Sequence, residues 1–202
     1  FNFKYLPFHQ AIHFPIILSR KVYLNQVKGK IIIKGKISTG MIKIGYRGVE
    51  IFDHKKSRAI WQVAGMVIFN GRARIGHGSK ISVGKEGTLI FGDNFTVTAE
   101  STIIASTKTI EFGSNCLLSW DVLMMDTDFH DIKDKNNVII NNPEDIRVGS
   151  HVWIGCRVLV LKGSVIAHNA IIAAGSLVSK KLEGEYKIFG GLPVKELQSD
   201  VH

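Results

Sequence analysis

The stretch that decides the fold is residues 148–179, which read VGSHVWIGCRVLVLKGSVIAHNAIIAAGSLVS. An aliphatic residue recurs there at every sixth position: Val148, Ile154, Val160, Ile166, Ile172 and Val178. The position after each aliphatic residue is small in most cases, with Leu161 as the exception. A period of six matches neither the 3.6 residues of a helical turn nor the two-residue alternation of one long strand. The pattern predicts short strands joined by tight corners, which is a β-solenoid.

If three such strands make one coil, residues eighteen apart stack on one another in the core. This predicts three pairs: Val148 on Ile166, Ile154 on Ile172, and Val160 on Val178. The same phase continues upstream, less regularly, from Phe69 onwards. About three extra residues around 106–109 should bulge at a corner, and a polar loop over 131–145 interrupts the repeat. Because a long irregular loop in a compact repeat fold is usually functional, we expect this loop to be a substrate lid.

The repeat divides the chain into three parts. Residues 1–30 lack the period and are predicted to be an N-terminal cap segment over the open end of the solenoid. Residues 31–192 form the β-helix domain with the 131–145 loop, and residues 193–202 form a C-terminal tail. Within the tail, Pro193 to Ser199 is predicted to form a short helix with Pro193 in its first turn. The fold class is therefore all-β.

Composition excludes several classes of protein. The chain has 26 Lys and Arg against 17 Asp and Glu, a net charge of +9, which favours an anionic partner. The basic residues are spread along the chain and not clustered with aromatic residues, so nucleic-acid binding is disfavoured. Two cysteines exclude a disulfide scaffold and favour a reducing, cytoplasmic location. The apolar run at 14–18 is far shorter than the ~20 residues of a membrane span, and only proximity to a membrane surface stays open.

The segment Asp126-Thr127-Asp128-Phe129-His130 precedes the polar loop. His130 is the candidate general base, since the ordinary pKa of histidine lies near neutrality. In an extended segment Asp126, Asp128 and His130 would share one face, so that either carboxylate could orient the imidazole. The competing interpretation is a solvated histidine at the start of a loop.

Three further motifs carry a resemblance to a known family. The runs Val152-Trp153-Ile154-Gly155, 172–180 (IAAGSLVSK) and 191–195 (GLPVK) resemble the C-terminal signature of the hexapeptide-repeat acyltransferases. The resemblance covers residues 91–197 and implies a left-handed parallel β-helix, a homotrimer and the use of acetyl-CoA. The handedness follows from the resemblance alone. The 126–130 segment is similar to the branch that O-acetylates sugars and surface polysaccharides, with His130 as the base.

The resemblance also assigns residues to roles. It implies that the main-chain N–H of Cys156 donates to the thioester oxygen. The Cys156 thiol itself is expected to be inert, because nothing in the local sequence places an activating base beside it. The pantetheine arm of CoA is expected in a groove between subunits, against Trp153. Further cofactor contacts are expected at Ala174, Ser179, Lys180, Lys181, Pro193 and Lys195. Trp120 and its neighbour Ser119 are expected to line the acceptor site, with a place in the core as the alternative for Trp120. No metal is expected. Leu192 and Val194 depart from the family pattern, which leaves the individual CoA contacts open.

Other functions use the same residues. The chain could N-acetylate an amino sugar, or it could be a β-helix scaffold without catalysis. Asp126-x-Asp128 is also a metal-binding pattern of glycosyltransferases, but the alternating strands and helices of such enzymes are missing. A zinc enzyme of the γ-carbonic-anhydrase type would need three histidines, and His130, His151 and His168 lack the expected ligand spacing.

Overall fold

The computed structural model describes residues 1–46 and 48–201, which form a parallel β-helix with three flat sides. Each side is one sheet. Except at the C-terminal strand, each strand within a sheet pairs with the strand that comes three places later in the chain, so three consecutive strands make one coil. Sheet 1 contains β1 (Ile16–Leu18), β4 (Ile42–Ile44), β7 (Ala73–His77), β10 (Phe95–Ala99), β13 (Leu117–Leu118), β16 (Trp153–Ile154), β19 (Ile171–Ile172), β22 (Ile188–Gly190) and β23 (Lys195–Gln198). Sheet 2 contains β2 (Val22–Val27), β5 (Ala59–Val63), β8 (Lys80–Val83), β11 (Thr102–Ala105), β14 (Leu123–Met125), β17 (Leu159–Leu161) and β20 (Leu177–Val178). Sheet 3 contains β3 (Lys30–Ile33), β6 (Met66–Phe69), β9 (Thr88–Phe91), β12 (Thr109–Phe112), β15 (Ile146–Val148), β18 (Val165–Ile166) and β21 (Lys181–Leu182).

Three rows of corners connect the sheets. The first corner leads from sheet 1 to sheet 2, the second from sheet 2 to sheet 3, and the third from sheet 3 back to sheet 1. At the first corner, successive coils place Glu100, Asp121, Arg157 and Gly175 in the left-handed region, with φ between 51° and 70°. The third corner packs tightly, because a Cβ on Gly149 would lie 2.6 Å from the backbone nitrogen of His168. These corners explain the small residues that follow the aliphatic positions.

The predicted core pairs are confirmed. Val148 pairs with Ile166, Ile154 with Ile172, and Val160 with Val178. All six side chains are at most 4% exposed. In the earlier coils of sheet 3 the stack continues as three phenylalanines in neighbouring strands: Phe69, Phe91 and Phe112. Their ring centroids are 5.1 Å and 5.8 Å apart, and burying each ring contributes about 2–3 kcal/mol to stability.

The solenoid begins earlier than the period of the sequence indicates. Two short helices, α1 (Asn2–Tyr5) and α2 (Phe8–Ala11), precede β1, while β1 and β2 lie within residues 1–30. The buried Asn2 side chain donates to the Ile16 carbonyl at 2.9 Å and accepts from the Ile16 N–H at 3.0 Å. One side chain thus replaces a neighbouring strand at the edge of sheet 1.

The prediction of a C-terminal helix is wrong. Lys195–Gln198 forms β23, which pairs antiparallel with β22. Without β23, the edge of β22 would leave backbone N–H and C=O groups without partners. Pairing across that edge outweighs the local helical preference of Pro193 and the residues that follow it.

Candidate active site

The 126–130 segment lies at the second corner and is not extended as the sequence predicts. β14 ends at Met125, and Phe129 has a φ of 61°, so the two-residue alternation stops before the motif. As a result Asp126 is fully buried, whereas His130 is exposed to solvent. The expectation that both aspartates share one face with the histidine is therefore wrong.

Asp126 supports the neighbouring coil. Its carboxylate accepts three backbone N–H bonds, from Ser106 at 2.9 Å, Thr107 at 2.8 Å and Lys108 at 2.6 Å. Residues 106–108 connect β11 to β12, which confirms the bulge predicted from the nine-residue step in the repeat. Since these bonds use both carboxylate oxygens, Asp126 is poorly placed to bind a metal or an imidazole.

Asp128 anchors the 131–145 loop through contacts with two residues, Lys162 and Asn141, that were not predicted from the sequence. Its Oδ2 lies 2.5 Å from Lys162 Nζ and 2.8 Å from Asn141 Nδ2. Asn141 also donates to the His130 carbonyl at 2.8 Å, and Lys162 donates to the Asn141 carbonyl at 2.5 Å. Hydrogen bonds from Lys162 and Asn141 lower the pKa of Asp128 below its ordinary value. Together these contacts fix the backbone that carries His130.

The imidazole of His130 makes no hydrogen bond or ion pair with any residue in the described part of this chain. Neither Asp126 nor Asp128 contacts it. Lys162 and Asn141 were missed because their importance depends on the return path of the loop. The available signal was a lysine placed beside the exceptional Leu161, at the corner that follows β17.

The first corner holds the second group of predicted residues. Trp153 is 49% exposed on the outer face of sheet 1, and its Nε1 donates to Ser119 Oγ at 3.2 Å. Trp120 follows Ser119 in the preceding coil, and its carbonyl accepts the Arg157 N–H at 3.0 Å. The structure therefore brings Trp153, Ser119, Trp120 and Cys156 to one corner.

A row of free backbone donors runs along this corner. The N–H groups of Trp120, Cys156 and Ala174 occupy equivalent positions in successive coils, and no acceptor within residues 1–46 and 48–201 pairs with them. Such a row can donate to a developing oxyanion or to the amide carbonyls of an extended ligand. The position predicted for the oxyanion donor, Cys156, is one of the three.

The two cysteines differ in environment. Cys116 is buried, its thiol donates to the Gly149 carbonyl at 3.1 Å, and burial raises its pKa to about 11. Cys116 is therefore part of the core. Cys156 is partly exposed, and both thiols are free.

The remaining candidate cofactor residues lie on different sides of the molecule. Ala174, Ser179, Lys180, Pro193 and Lys195 are exposed at the C-terminal end of the solenoid. Lys181 belongs to sheet 3 and lines a cavity of about 340 Å³ with Lys108, Glu144 and Arg147. One chain therefore does not bring Lys181 and Lys195 to the same surface.

The two groups of residues stand at opposite ends of the strands of sheet 2. β14 separates Trp120 from Asp128, and β17 separates Cys156 from Lys162. A strand rises about 3.3 Å per residue, so each pair is roughly 10 Å or more apart within one chain. Each chain thus carries two half-sites, one at the first corner and one at the second.

Within the described ranges, no group of three or more His, Cys, Asp or Glu side chains is arranged to hold a metal ion. Also within those ranges, no helix has the length and apolar character that crossing a membrane requires.

Comparison with known proteins finds no matching family model, but it finds similar sequences. The chain is 26% identical over 147 residues to the lipopolysaccharide biosynthesis O-acetyl transferase WbbJ of Escherichia coli, covering 68% of this chain and 74% of that protein. It is 30% identical over 125 residues to the galactoside O-acetyltransferase of Escherichia coli, covering 60% of this chain and 55% of that protein. The chain thus spans little more than half of the second relative.

Among solved structures, the polySia-specific acetyltransferase NeuO matches with a TM-score of 0.54 and 22% identity, over 89% of this chain and 70% of that one. At this identity the match supports the fold, a left-handed β-helix. The chain is thus similar in sequence to two O-acetyltransferases, and its fold is the one found in a hexapeptide-repeat acetyltransferase of Vibrio cholerae, which matches with a TM-score of 0.53 and 20% identity over 63% of this chain and 70% of that one.

Proposed function

We propose that the chain is an acetyl-CoA-dependent O-acetyltransferase acting on a hydroxyl of a sugar or polysaccharide. The division into two half-sites carries this proposal. The second corner offers a solvent-facing base, His130, and the first corner offers unpaired N–H donors beside Trp153. Acyl transfer to a hydroxyl needs both a base and an oxyanion donor, and two copies of the chain can supply both.

The chemistry is a direct transfer. The acceptor hydroxyl oxygen attacks the thioester carbonyl carbon while the His130 imidazole takes the hydroxyl proton. The Cys156 N–H donates to the carbonyl oxygen as it gains negative charge. The C–S bond then breaks, and the imidazolium returns the proton to the CoA thiolate. No covalent enzyme intermediate is needed, since no described side chain is placed as an activating base for the Cys156 thiol.

Asp128 acts here as a positioning residue. Through Asn141 it holds the backbone of His130, whereas the carboxylate of Asp126 is committed to three backbone N–H groups. For CoA, we assign the pantetheine arm to Trp153 and the Ala174 N–H. We assign the phosphates to the exposed Ser179, Lys180, Pro193 and Lys195. Ser179 and Lys180 follow β20 at the second corner, so these two residues, like Lys181 of sheet 3, would come from a copy neighbouring the one that supplies Trp153.

The assembly we propose is a homotrimer. Outward-facing residues of sheet 2 form an apolar stripe instead of a polar surface, comprising Ile104, Leu123, Met125, Leu159, Leu161 and Leu177. Phe129, Ile132 and Ile140 are also more than half exposed on the loop. A head-to-tail contact between a first and a second corner closes into a ring, and the family resemblance supplies the number three. The free thiols and the acetyl donor favour the cytoplasm.

The proposal is tested by calorimetric titration with acetyl-CoA, followed by transfer of labelled acetyl groups to a panel of glycans. We expect His130→Ala to lower kcat by about 10²–10⁴. His151→Ala, which removes an exposed histidine at the third corner, should leave kcat unchanged. Full activity in His130→Ala would overturn the mechanism, and absence of acetyl-CoA binding would indicate a scaffold. Label that resists mild alkali would mark an amide and hence an N-acetyltransferase.

A further inference from the structure

A cavity lies on the outer face of sheet 1, apart from the candidate catalytic groups of both corners. It has a volume of about 200 Å³ and is lined by Tyr46, Gly48, Arg74, Thr96, Val97 and Thr98. Its lining residues include one cation, two threonines and one phenol. This is the set of groups that recognises a sugar ring bearing a negative charge.

Two polar groups in the cavity lack partners. The guanidinium of Arg74 makes no ion pair or hydrogen bond with any residue of 1–46 and 48–201. The Thr98 Oγ1 atom is buried and likewise has no hydrogen-bond partner in that part of the chain. A buried hydroxyl without a partner costs free energy that a bound polar ligand would recover.

The cation is reinforced by its neighbour in the sheet. Lys43 pairs in register with Arg74, and both side chains point outward from adjacent strands. Like charges directly opposite each other destabilise a sheet, and Lys43 too has no acidic partner among the described residues. The whole N-terminal part is basic: residues 1–74 hold 14 Lys and Arg against 2 Asp and Glu, and the remainder holds 12 against 15. The positive charge is therefore concentrated in the N-terminal part of the chain and is not evenly spread, contrary to the prediction from composition.

The wall of the cavity is fixed in place. The 48–57 loop is tied down by the buried His77, whose Nε2 lies 2.9 Å from Ser57 Oγ and 3.3 Å from the Asp53 carbonyl. Ser57 also donates to Glu100. Tyr46 is 40% exposed, with its hydroxyl donating to the Leu18 carbonyl at 3.1 Å. The phenol ring thus presents a fixed apolar face on which a sugar ring can pack.

The cavity is aligned with the candidate active site. Thr96 pairs in register with Leu117, and Leu117 with Trp153. All three side chains lie on the outer face of sheet 1, so two strand spacings, about 10 Å, separate the cavity from Trp153. That distance corresponds to a few sugar units of an extended chain.

We propose that this cavity is a subsite for an anionic sugar unit of the acceptor, so that the acceptor is an acidic oligo- or polysaccharide lying along sheet 1. The identification of this ligand as part of the acetyl acceptor rests on the proposed function. The binding of an anionic sugar unit to the cavity does not depend on it. Carboxylate and phosphate groups would both satisfy Arg74, and either can belong to a glycan.

The test is calorimetric titration of the full chain, without acetyl-CoA, against oligogalacturonate, glycerol-phosphate oligomer and neutral malto-oligosaccharide of matched length. At least one acidic probe should bind, and Arg74→Gln should weaken that binding by about tenfold or more. Arg72→Gln is the matched control, because Arg72 is an exposed cation two residues before Arg74 that pairs with Asp93 and does not line this cavity. It should change the affinity less than twofold.

Several results would overturn the subsite. These are equal weakening by Arg74→Gln and Arg72→Gln, tight binding of the neutral probe, or no binding of either acidic probe. The first would indicate nonspecific attraction by net charge. If an acidic probe binds through Arg74 but no acetyl group is transferred to it or to any glycan, the subsite stands and the proposed function fails. If transfer occurs with a KM for the glycan that Arg74→Gln leaves unchanged, the proposed function stands and the subsite fails.

Discussion

Asp126 is the residue on which the second corner depends. A fully buried carboxylate receives three N–H bonds from a turn that would otherwise leave these donors without acceptors. Because Asp126 stands in the same motif as His130, its sequence context suggested a catalytic role and not this structural one. The residue that shapes the corner and the residue proposed to do chemistry are therefore only four positions apart.

We predict that Asp126→Asn lowers the free energy of unfolding by about 2–4 kcal/mol, because the amide NH₂ faces N–H groups and cannot accept from them. Denaturant unfolding followed by circular dichroism measures this. Asp121→Asn is the control, since that partly exposed carboxylate has only a 3.9 Å contact with Arg157. A loss no greater than that of the control would contradict the structural role of Asp126.

The sequence predicted core residues well and site contacts poorly. Val160 and Val178 could be paired because their spacing is set by the coil itself. The hydrogen bonds of Asn141 and Lys162 depend on how the loop returns to the second corner, and no local pattern encodes that path. Likewise, the burial and hydrogen bonding of Asp126 depend on a turn that lies 18 to 20 residues earlier in the chain.

Among the elements, the 131–145 loop has a defined anchor. Lys162, with a side chain only 15% exposed, joins Asp128 to the far end of the loop. Since the partnered Asp128 has a lowered pKa, the anchor is present above the ordinary aspartate pKa of about 3.9 and is lost as pH falls through the lowered value. The anchor should therefore remain intact at mildly acidic pH.

We predict that Lys162→Met speeds hydrogen exchange across residues 128–142 at pH 5 and lowers kcat by about tenfold or more, by releasing the backbone of His130. The melting temperature should change little, because the loop lies outside the coils. Lys135→Gln alters a lysine at the exposed tip of the same loop and should affect neither quantity. Unchanged exchange in Lys162→Met would rule out the anchor.

The C-terminal strand shows where local patterns fail. A proline followed by Lys, Glu, Leu and Gln has a reasonable helical preference, yet these residues pair with β22. The outcome depends on an unpaired sheet edge, which is a property of the folded solenoid. The strands of the repeat itself were predictable because their neighbours are fixed by the period.

At the scale of the whole molecule, the proposed pairing of half-sites would make activity depend on contacts between chains. Trp153 lies at the first corner and His130 at the second corner. The apolar stripe of sheet 2 lies between these two corners. A trimer in which each first corner meets the next chain's second corner contains three shared sites.

This arrangement predicts complementation between inactive variants. His130→Ala and Trp153→Ala chains, each inactive alone, should regain about a quarter of wild-type activity when unfolded together and refolded as randomly mixed trimers. Sedimentation must show trimers in the same samples. Mixing the two folded proteins without exchange of chains is the control and should restore nothing. If refolded mixtures stay inactive, or only monomers sediment, the shared site is wrong.

The second corner has one more consequence. Leu118 and Ile154 remain in register in sheet 1 although 36 residues separate them, whereas 18 separate Ile154 from Ile172. A long insertion at this corner therefore leaves the stacking of the coils unchanged. The loop between Met125 and Ile146 is therefore an exchangeable module: evolution, or a protein engineer, can replace it with a loop of different length and sequence without repacking the interior.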